Sequence, residues 1–368
     1  MRIVLAVNNP SAHLYPLPHG WADRGHDVTI LMDSPTGRFG HAREFDHAGV
    51  QQYHLATDGS ILDAATGAPG SVNLEQVIRA ADVVVLGGYA TRVARRILRA
   101  RASAATRKVL LAERPFPRPP GPRVWVRDAW ARWVVSRVDA VWSMSEAGDL
   151  AFERLGRAPE ARVPYPIVMS PRPSGITSDG AEKWSREGEV RLLLLGQMIE
   201  RKRPLVAVEV IRTLHARGVE VRGDVAGSGE LQEQVRAAAN GLPITMHGHV
   251  PPQTVGHMLL DSHVLLHPAS HDGWGFAVVE AASRGTPVVS TQGCDAAAEL
   301  AARTPWVRVT DGSPNSMAEA AVELIEEFRR DPAARIDELT QAVEEVCGVD
   351  RIATRSLDAL VASVVRHG

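Results

Sequence analysis

Residues 190–226 read VRLLLLGQMIERKRPLVAVEVIRTLHARGVEVRGDVA. The opening run, 190–195, is apolar at nearly every position, which predicts a strand covered on both faces rather than one with a wet side. Gly196 ends it, and a polar loop follows with four charges in 200–203. Pro204 suits a first helical turn, the apolar spacing from 205 to 214 predicts an amphipathic helix, and Gly218 is a helix stop. A second strand then begins at 219. Strand, loop, helix and strand in this order predict two parallel strands joined by a right-handed crossover. The same order occurs at the N-terminus, where RIVLAV at 2–7 leads through a Pro-containing loop to RGHDVTIL at 24–31. Two such starts predict two nucleotide-binding halves of Rossmann type.

Further short apolar runs predict strands at 81–88, 108–113 and 139–145 in the first half, read as a parallel sheet. The runs at 244–250, 262–269 and 286–291 do so in the second. Between the halves, MSPRPSGITSDGAEKWSREGE at 169–189 is poor in aliphatic residues and rich in Pro, Ser, Gly and charge, as an exposed connection would be. The expected division is therefore a first domain at 1–170, a linker at 171–189, a second domain at 190–349 and a last helix at 350–368.

A chain of 368 residues exceeds what one core usually organises, which agrees with two domains. The content of 45% hydrophobic and 23% charged residues is that of a globular protein. A net charge of −2 gives no overall field that would favour nucleic acid or an anionic membrane. No apolar run reaches the length of a membrane span, and the N-terminal run is too short for the core of a signal peptide. Cys294 and Cys347 are far apart and lack neighbours at metal-ligand spacing. Free thiols in a reducing, cytoplasmic setting are expected, with no metal.

Ligands of open α/β sheets bind beyond the carboxyl ends of the strands, so the candidate residues should follow strands. The segment HDGWGFAVVEAA at 271–282 does so. Gly273 and Gly275 permit a tight turn and close approach of backbone to a ligand, and a helix opening at Phe276 would turn unpaired N–H groups towards phosphate oxygens. Asp272 is placed to bind sugar hydroxyls, and Glu280, eight positions on, to bind a ribose diol. Each feature also has a plainer reading. A Gly-x-Gly before a helix is often only a turn, Glu280 can be a helix-surface carboxylate, and Lys202 can be one charge of a solvated loop.

The run DGWGFAVVEAASRGTPVVS at 272–290 resembles the signature of the retaining GT-B glycosyltransferases of family 4 (group 1). That signature reads Glu-Gly-Phe-Gly, then Glu-Ala, then Gly-x-Pro-Val-Val; Gly273, Gly275, Glu280, Ala281, Gly285, Pro287, Val288 and Val289 agree with it. GQMIERKRP at 196–204 resembles the family's Gly-Arg-x-x-x-x-Lys loop, VAGSGEL at 225–231 its Gly-x-Gly turn, and HGHV at 247–250 the segment lining the base pocket. The resemblance covers most of the second half and is weak in the first.

It implies two Rossmann-like domains facing across a cleft, a last helix free to return to the first domain, and a hexosyltransferase that retains configuration. By the same resemblance Lys202 and Asp272 are the catalytic pair, on the leaving diphosphate and the donor sugar. Gly196, Gln197, Arg201, Gly227, His249, Gly273, Trp274, Gly275, Phe276 and Glu280 would bind the rest of the donor. The co-substrate would be a nucleoside diphosphate sugar, most commonly of UDP, with no further cofactor and no metal. Gln197 stands where the family has an Arg, a charge Arg201 or Arg203 can supply; Asp272 replaces the commoner Glu; and the family's N-domain His and early Gly-Gly are absent. On the acceptor side Glu113, His13 and Tyr89 border the expected cleft, Glu113 being equally suited to a salt bridge with Arg114. The acceptor would be a small molecule or glycan. The alternatives are a pseudo-glycosyltransferase or sugar-nucleotide epimerase on this fold, and a nucleotide-sugar-binding protein without turnover. His247, His249 and His267 are expected to be hydrogen-bonded core histidines, Trp125, Trp130 and Trp133 to pack a helix, and Cys294 to be a small apolar filler.

Overall fold

The computed structural model describes residues 1–11, 13–37, 40–41, 45–70, 73–100, 106–115, 121–167, 176–185 and 189–365. The chain divides into two compact units, Met1–Val168 with Cys347–Gly368, and Met169–Val346.

Unit 1 begins with β1 (Arg2–Val7), α1 (Pro16–Ala22), β2 (Asp27–Met32), the short β3 (Thr36–Gly37) and β4 (Gly40–His41), β5 (Val50–Leu55) and β6 (Ile61–Asp63). It continues through α2 (Leu74–Ala80), β7 (Val83–Gly87), α3 (Arg92–Arg99), β8 (Arg107–Leu111), α4 (Pro122–Val135), β9 (Ala140–Ser143), α5 (Glu146–Arg154) and β10 (Ala161–Arg162). The sheet order is β10-β9-β8-β7-β1-β2-β5-β6. Ile3 pairs with Val28 on one side and Val83 on the other, and both pairings are parallel. The apolar run of β1 is buried from Ile3 to Val7 because helices must cover both faces of such a strand. The expectation of a purely parallel sheet fails at one edge, where β6 runs antiparallel to β5. Residues 56–60, ATDGS, let the chain double back there, a local turn that needs no crossover helix.

Unit 2 contains α6 (Ile176–Ser185), β11 (Val190–Leu195), a 3₁₀ turn (Glu200–Lys202), α7 (Pro204–Ala216), β12 (Val221–Ala226), α8 (Gln232–Ala238), β13 (Ile244–Gly248) and α9 (Pro252–Asp261). After these come β14 (Val264–His267), α10 (Phe276–Ala282), β15 (Val288–Thr291), α11 (Asp295–Ala301), β16 (Val307–Thr310), α12 (Pro314–Arg330) and α13 (Pro332–Cys347). Its sheet order is β13-β12-β11-β14-β15-β16, parallel throughout. The sheet grows one way from β11 and the other way from β14. The switch point of the topology therefore lies between these two strands, where such sheets open a crevice at their carboxyl ends.

Two expectations need correction here. The stretch read as a linker, where 171–175 and 186–188 lie outside the described residues, carries α6. Trp184 on that helix is 4% exposed and stacks on Phe328 of α12 at 4.7 Å. Lys183 Nζ donates to the carbonyls of Leu260 (2.9 Å) and Ser262 (2.5 Å) at the end of α9. Among its described side chains Trp184 and Lys183 anchor this helix, and the sequence shows no apolar stripe along it. β13 is an edge strand, which leaves His247 and His249 exposed rather than in a core.

The chain ends in α14 (Val349–Val365), which packs on α1 of unit 1: Trp21 Nε1 donates to Ser356 Oγ at 2.8 Å, and Arg24 pairs with Asp350 at 2.9 Å. On α4, Trp130 and Trp133 stack at 4.6 Å and pack as expected, whereas Trp125 is 68% exposed. No helix among the described residues is long and apolar enough to cross a membrane.

Candidate functional site

The carboxyl ends of β11 and β14 lie side by side, with Leu194 of one paired to Leu266 of the other. Each strand releases a loop, and the loops are tied together where Ser270 N donates to the Arg201 carbonyl at 2.8 Å. On the first loop the 3₁₀ turn lifts Lys202, and Arg203 after it takes a left-handed conformation (φ 49°) that starts α7 at Pro204. On the second loop Asp272 is pinned by its own backbone, its N–H donating to the Gly293 carbonyl at 2.8 Å.

The side chains then converge on one carboxylate. Lys202 Nζ donates to Asp272 Oδ2, and His267 Nε2 lies 3.0 Å from the same oxygen. Arg201 Nη1 lies 3.6 Å from Asp272 Oδ1 and donates to the His271 carbonyl at 3.2 Å. Burial pushes the Asp272 carboxyl up, but the His267 hydrogen bond and the Lys202 charge outweigh it and hold the group well below the usual carboxylate range. Arg203 turns elsewhere, donating to the Gly312 carbonyl at 3.1 Å, so of the two arginines it is Arg201 that stands beside this cluster.

Two glycines make the surrounding turns possible. Gly275 opens α10 at φ 101°, and a Cβ there would lie 2.3 Å from Cys294 Sγ. Gly227, after β12, has φ 138°, and its Cβ would lie 1.8 Å from the Gly196 carbonyl oxygen. Only glycine fits either position. The half-buried Gly196 and Gly227 are thereby brought together, and Gly227 N donates to the Gly248 carbonyl at 2.6 Å. No side-chain hydrogen bond among the described residues caps α10.

The remaining residues read as donor-binding are placed as follows. Gly273, Phe276 and Gln197 are half-buried on the same two loops. Glu280 is half-buried within α10, and burial raises its carboxyl above the ordinary value although Arg284 partly offsets this. Trp274 corrects the reading: its side chain is 1% exposed, and its indole N–H has no hydrogen-bond partner among the described residues. Its carbonyl accepts from Ala296 N of α11 at 2.8 Å, and with the ring buried this residue presents only main chain to a ligand. His249 lies exposed just beyond the end of β13.

His13, Tyr89 and Glu113 all belong to unit 1. They follow β1, β7 and β8, with β1 and β7 adjacent at that sheet's own reversal of strand order. Burial lowers His13 to about 4, so its imidazole is neutral near pH 7. The Tyr89 carbonyl accepts from Trp130 Nε1 at 2.8 Å, and Glu113 is close enough to the buried Tyr165 phenol to raise it further.

His267 is the residue that the sequence placed in the core without a role. It is buried, as expected of a core histidine, but its ring joins Asp272 to Ser290, whose Oγ lies 3.1 Å from Nδ1. Its position at the carboxyl end of β14 was the available signal.

Residues 189–327 match the family model described as Glycosyl transferases group 1. Two GDP-mannose-dependent alpha-(1-6)-phosphatidylinositol dimannoside mannosyltransferases of Mycobacterium tuberculosis, strains H37Ra and CDC 1551, are each 26% identical over 140 residues. The match spans 38% of this chain and 37% of the relatives' length. Among solved structures, that of TarM superposes with a TM-score of 0.74 at 10% identity, covering 98% of both chains. That of Anabaena Alr3699/HepE in complex with UDP does so at 0.69 and 16%, covering 98% of this chain and all of the other. At these identities the likeness establishes the fold, which is GT-B with two parallel-sheet α/β units.

Proposed function

We propose that this chain, a GT-B protein with a group 1 glycosyl transferase region at 189–327, moves a sugar from a nucleoside diphosphate sugar to an acceptor hydroxyl with retention of configuration. The observation that carries this reading is the meeting of Lys202 and Asp272 at the switch point between β11 and β14. An ammonium and a carboxylate that neutralise each other in the free protein offer two opposite services to a donor. Lys202 can move to the diphosphate, where negative charge grows as the glycosidic bond breaks, and Asp272 is then released to accept hydrogen bonds from sugar hydroxyls.

In this scheme Arg201 adds charge near the phosphates in place of the Arg that Gln197 displaces. The amides of 273–276 contact phosphate and sugar, and Glu280 takes the ribose diol. The departing phosphate oxygen receives the acceptor proton on the same face from which the acceptor attacks. Lys202 and Arg201 supply the positive charge, so we assign no metal or further cofactor to the reaction. Unit 1 binds the acceptor, a small molecule or glycan, through His13, Tyr89 and Glu113. We place the activity in the cytoplasm, in keeping with a chain whose two cysteines, Cys294 and Cys347, are buried and not joined in a disulfide.

UDP and GDP are the leading nucleotides, the first present in the HepE complex and the second named for the mannosyltransferases. A thermal-shift screen against UDP-, GDP- and TDP-sugars tests the reading, because a ligand bound only by the folded state raises apparent stability. A rise with one nucleotide class and a product of unchanged anomeric configuration by NMR are expected. No rise with any class would sink the proposal.

A further inference from the structure

His267 is 2% exposed and bonded at both ring nitrogens, to Asp272 Oδ2 (3.0 Å) and to Ser290 Oγ (3.1 Å). Ser290, itself buried on β15, has a second acceptor in reach: its Oγ lies 3.1 Å from the His267 carbonyl oxygen. An ionised carboxylate only accepts, so Nε2 keeps its proton in every state of the ring. In the neutral ring Nδ1 is an acceptor and the Ser290 hydroxyl donates to it. In the imidazolium Nδ1 donates to Ser290 Oγ, and the hydroxyl turns to the His267 carbonyl. One rotation of one buried hydroxyl thus satisfies both charge states.

The charged groups around the ring set which state prevails. From the loop after β11 come Lys202, on the same Asp272 oxygen, and Arg201, 3.6 Å from the other. From the segment opening α11 come buried Asp295 and the Cys294 thiol, pushed up to about 12 by burial and by Asp272, and therefore neutral. α10, which packs on β14, carries Glu280. Burial and the Lys202 charge lower the His267 ring, while the bond to Asp272 raises it. Removing Lys202 takes away one opposing charge and leaves the His267 ring as the bonded partner of Asp272 Oδ2, with Arg201 remaining beside Oδ1.

We propose that when a nucleoside diphosphate draws Lys202 away from Asp272, His267 takes up one proton from solvent and replaces the ammonium as counter-charge. This rests on the reading that Lys202 binds the donor diphosphate. The proton enters at Nδ1 and leaves again when the nucleotide departs and Lys202 returns. His267 is a positioning residue: it keeps Asp272 ionised and aimed while Lys202 is engaged elsewhere.

The test is calorimetric titration of the full chain with UDP and with GDP near pH 7, in two buffers of different ionisation heat. The native protein should take up more protons per bound nucleotide than His267→Gln, which keeps a donor for Asp272 but cannot titrate. The surplus should shrink in Ser290→Ala, which deprives the imidazolium of its acceptor. Above neutrality the native Kd should weaken by up to about tenfold per pH unit relative to His267→Gln. Should His267→Gln fail to fold, ring ¹⁵N shifts of the native protein report the same event: one histidine should become imidazolium on adding nucleotide, and no such change overturns the inference. Nucleotide binding with equal proton uptake in native and variant overturns this inference alone, whereas no binding of either nucleotide overturns the donor-site reading with it.

Discussion

Lys202 and Asp272, seventy positions apart in the chain, share a hydrogen bond at the point where the sheet of unit 2 reverses its strand order. Each residue neutralises the other, so the pair stores in the free protein the two charges a diphosphate sugar would need. Lys202→Ala is expected to lower kcat by about 10²–10³, the usual cost of removing one group aimed at developing charge. It should also abolish the stabilisation by nucleotide. Asp272→Asn should remove turnover while leaving the free nucleoside diphosphate bound, because the carboxylate serves the sugar and not the phosphates. Kinetics beside a thermal shift with UDP or GDP separate the two, and full turnover in either variant would exclude the pair from the chemistry.

Gly275→Ala should destabilise the protein by two separable routes. The new Cβ meets Cys294 Sγ at 2.3 Å, and the backbone at φ 101° disfavours any side chain. Combining it with Cys294→Ala removes the steric part only. The double variant should therefore regain some melting temperature yet remain below Cys294→Ala alone, by the roughly 1–3 kcal/mol that a strained backbone conformation costs. Full recovery would mean that the left-handed geometry carries no strain.

Glu280 offers a pH test whose sign follows from its burial. A carboxyl raised above its ordinary value in the folded protein is favoured in the neutral form. Its contribution to stability is complete below the ordinary glutamate range and is lost as pH rises through the raised value. Glu280→Gln should thus stabilise the free protein at pH 7 and flatten that part of the stability profile, while weakening nucleotide binding through loss of a ribose acceptor. A stability gain without loss of binding would remove Glu280 from the donor site.

Much of this architecture could be read from pattern. The buried strands of both sheets announced themselves as apolar runs, and the family resemblance at 196–204 and 272–290 singled out the two loops whose Lys202 and Asp272 meet. What could not be read depended on neighbours distant in sequence. β13 looks like an interior strand, yet nothing local says that it ends the sheet. Trp274 sits among ligand-type residues, but the Ala296 amide that anchors its backbone lies beyond the next strand. His267 has the appearance of any core histidine until the return of the chain after Pro268 places Asp272 against its ring.

Lys183 illustrates the same limit and yields the last prediction. Its ammonium donates to the Leu260 and Ser262 carbonyls at the end of α9, and burial lowers it to about 7, with Asp261 partly offsetting the shift. A lysine lowered in the folded state disfavours folding while it must carry its charge there. Its favourable contribution is complete above the ordinary lysine value and is lost as pH falls through about 7. Between neutrality and the ordinary lysine range, unit 2 should therefore grow more stable as pH rises, opposite in sign to the loss on rising pH expected from Glu280. Lys183→Met keeps the apolar stem that packs beside Trp184 but cannot titrate, and should erase this alkaline rise. Chemical denaturation of both proteins between pH 7 and pH 10 is the measurement; parallel profiles would show that the buried ammonium does not govern the stability of α6 on α9.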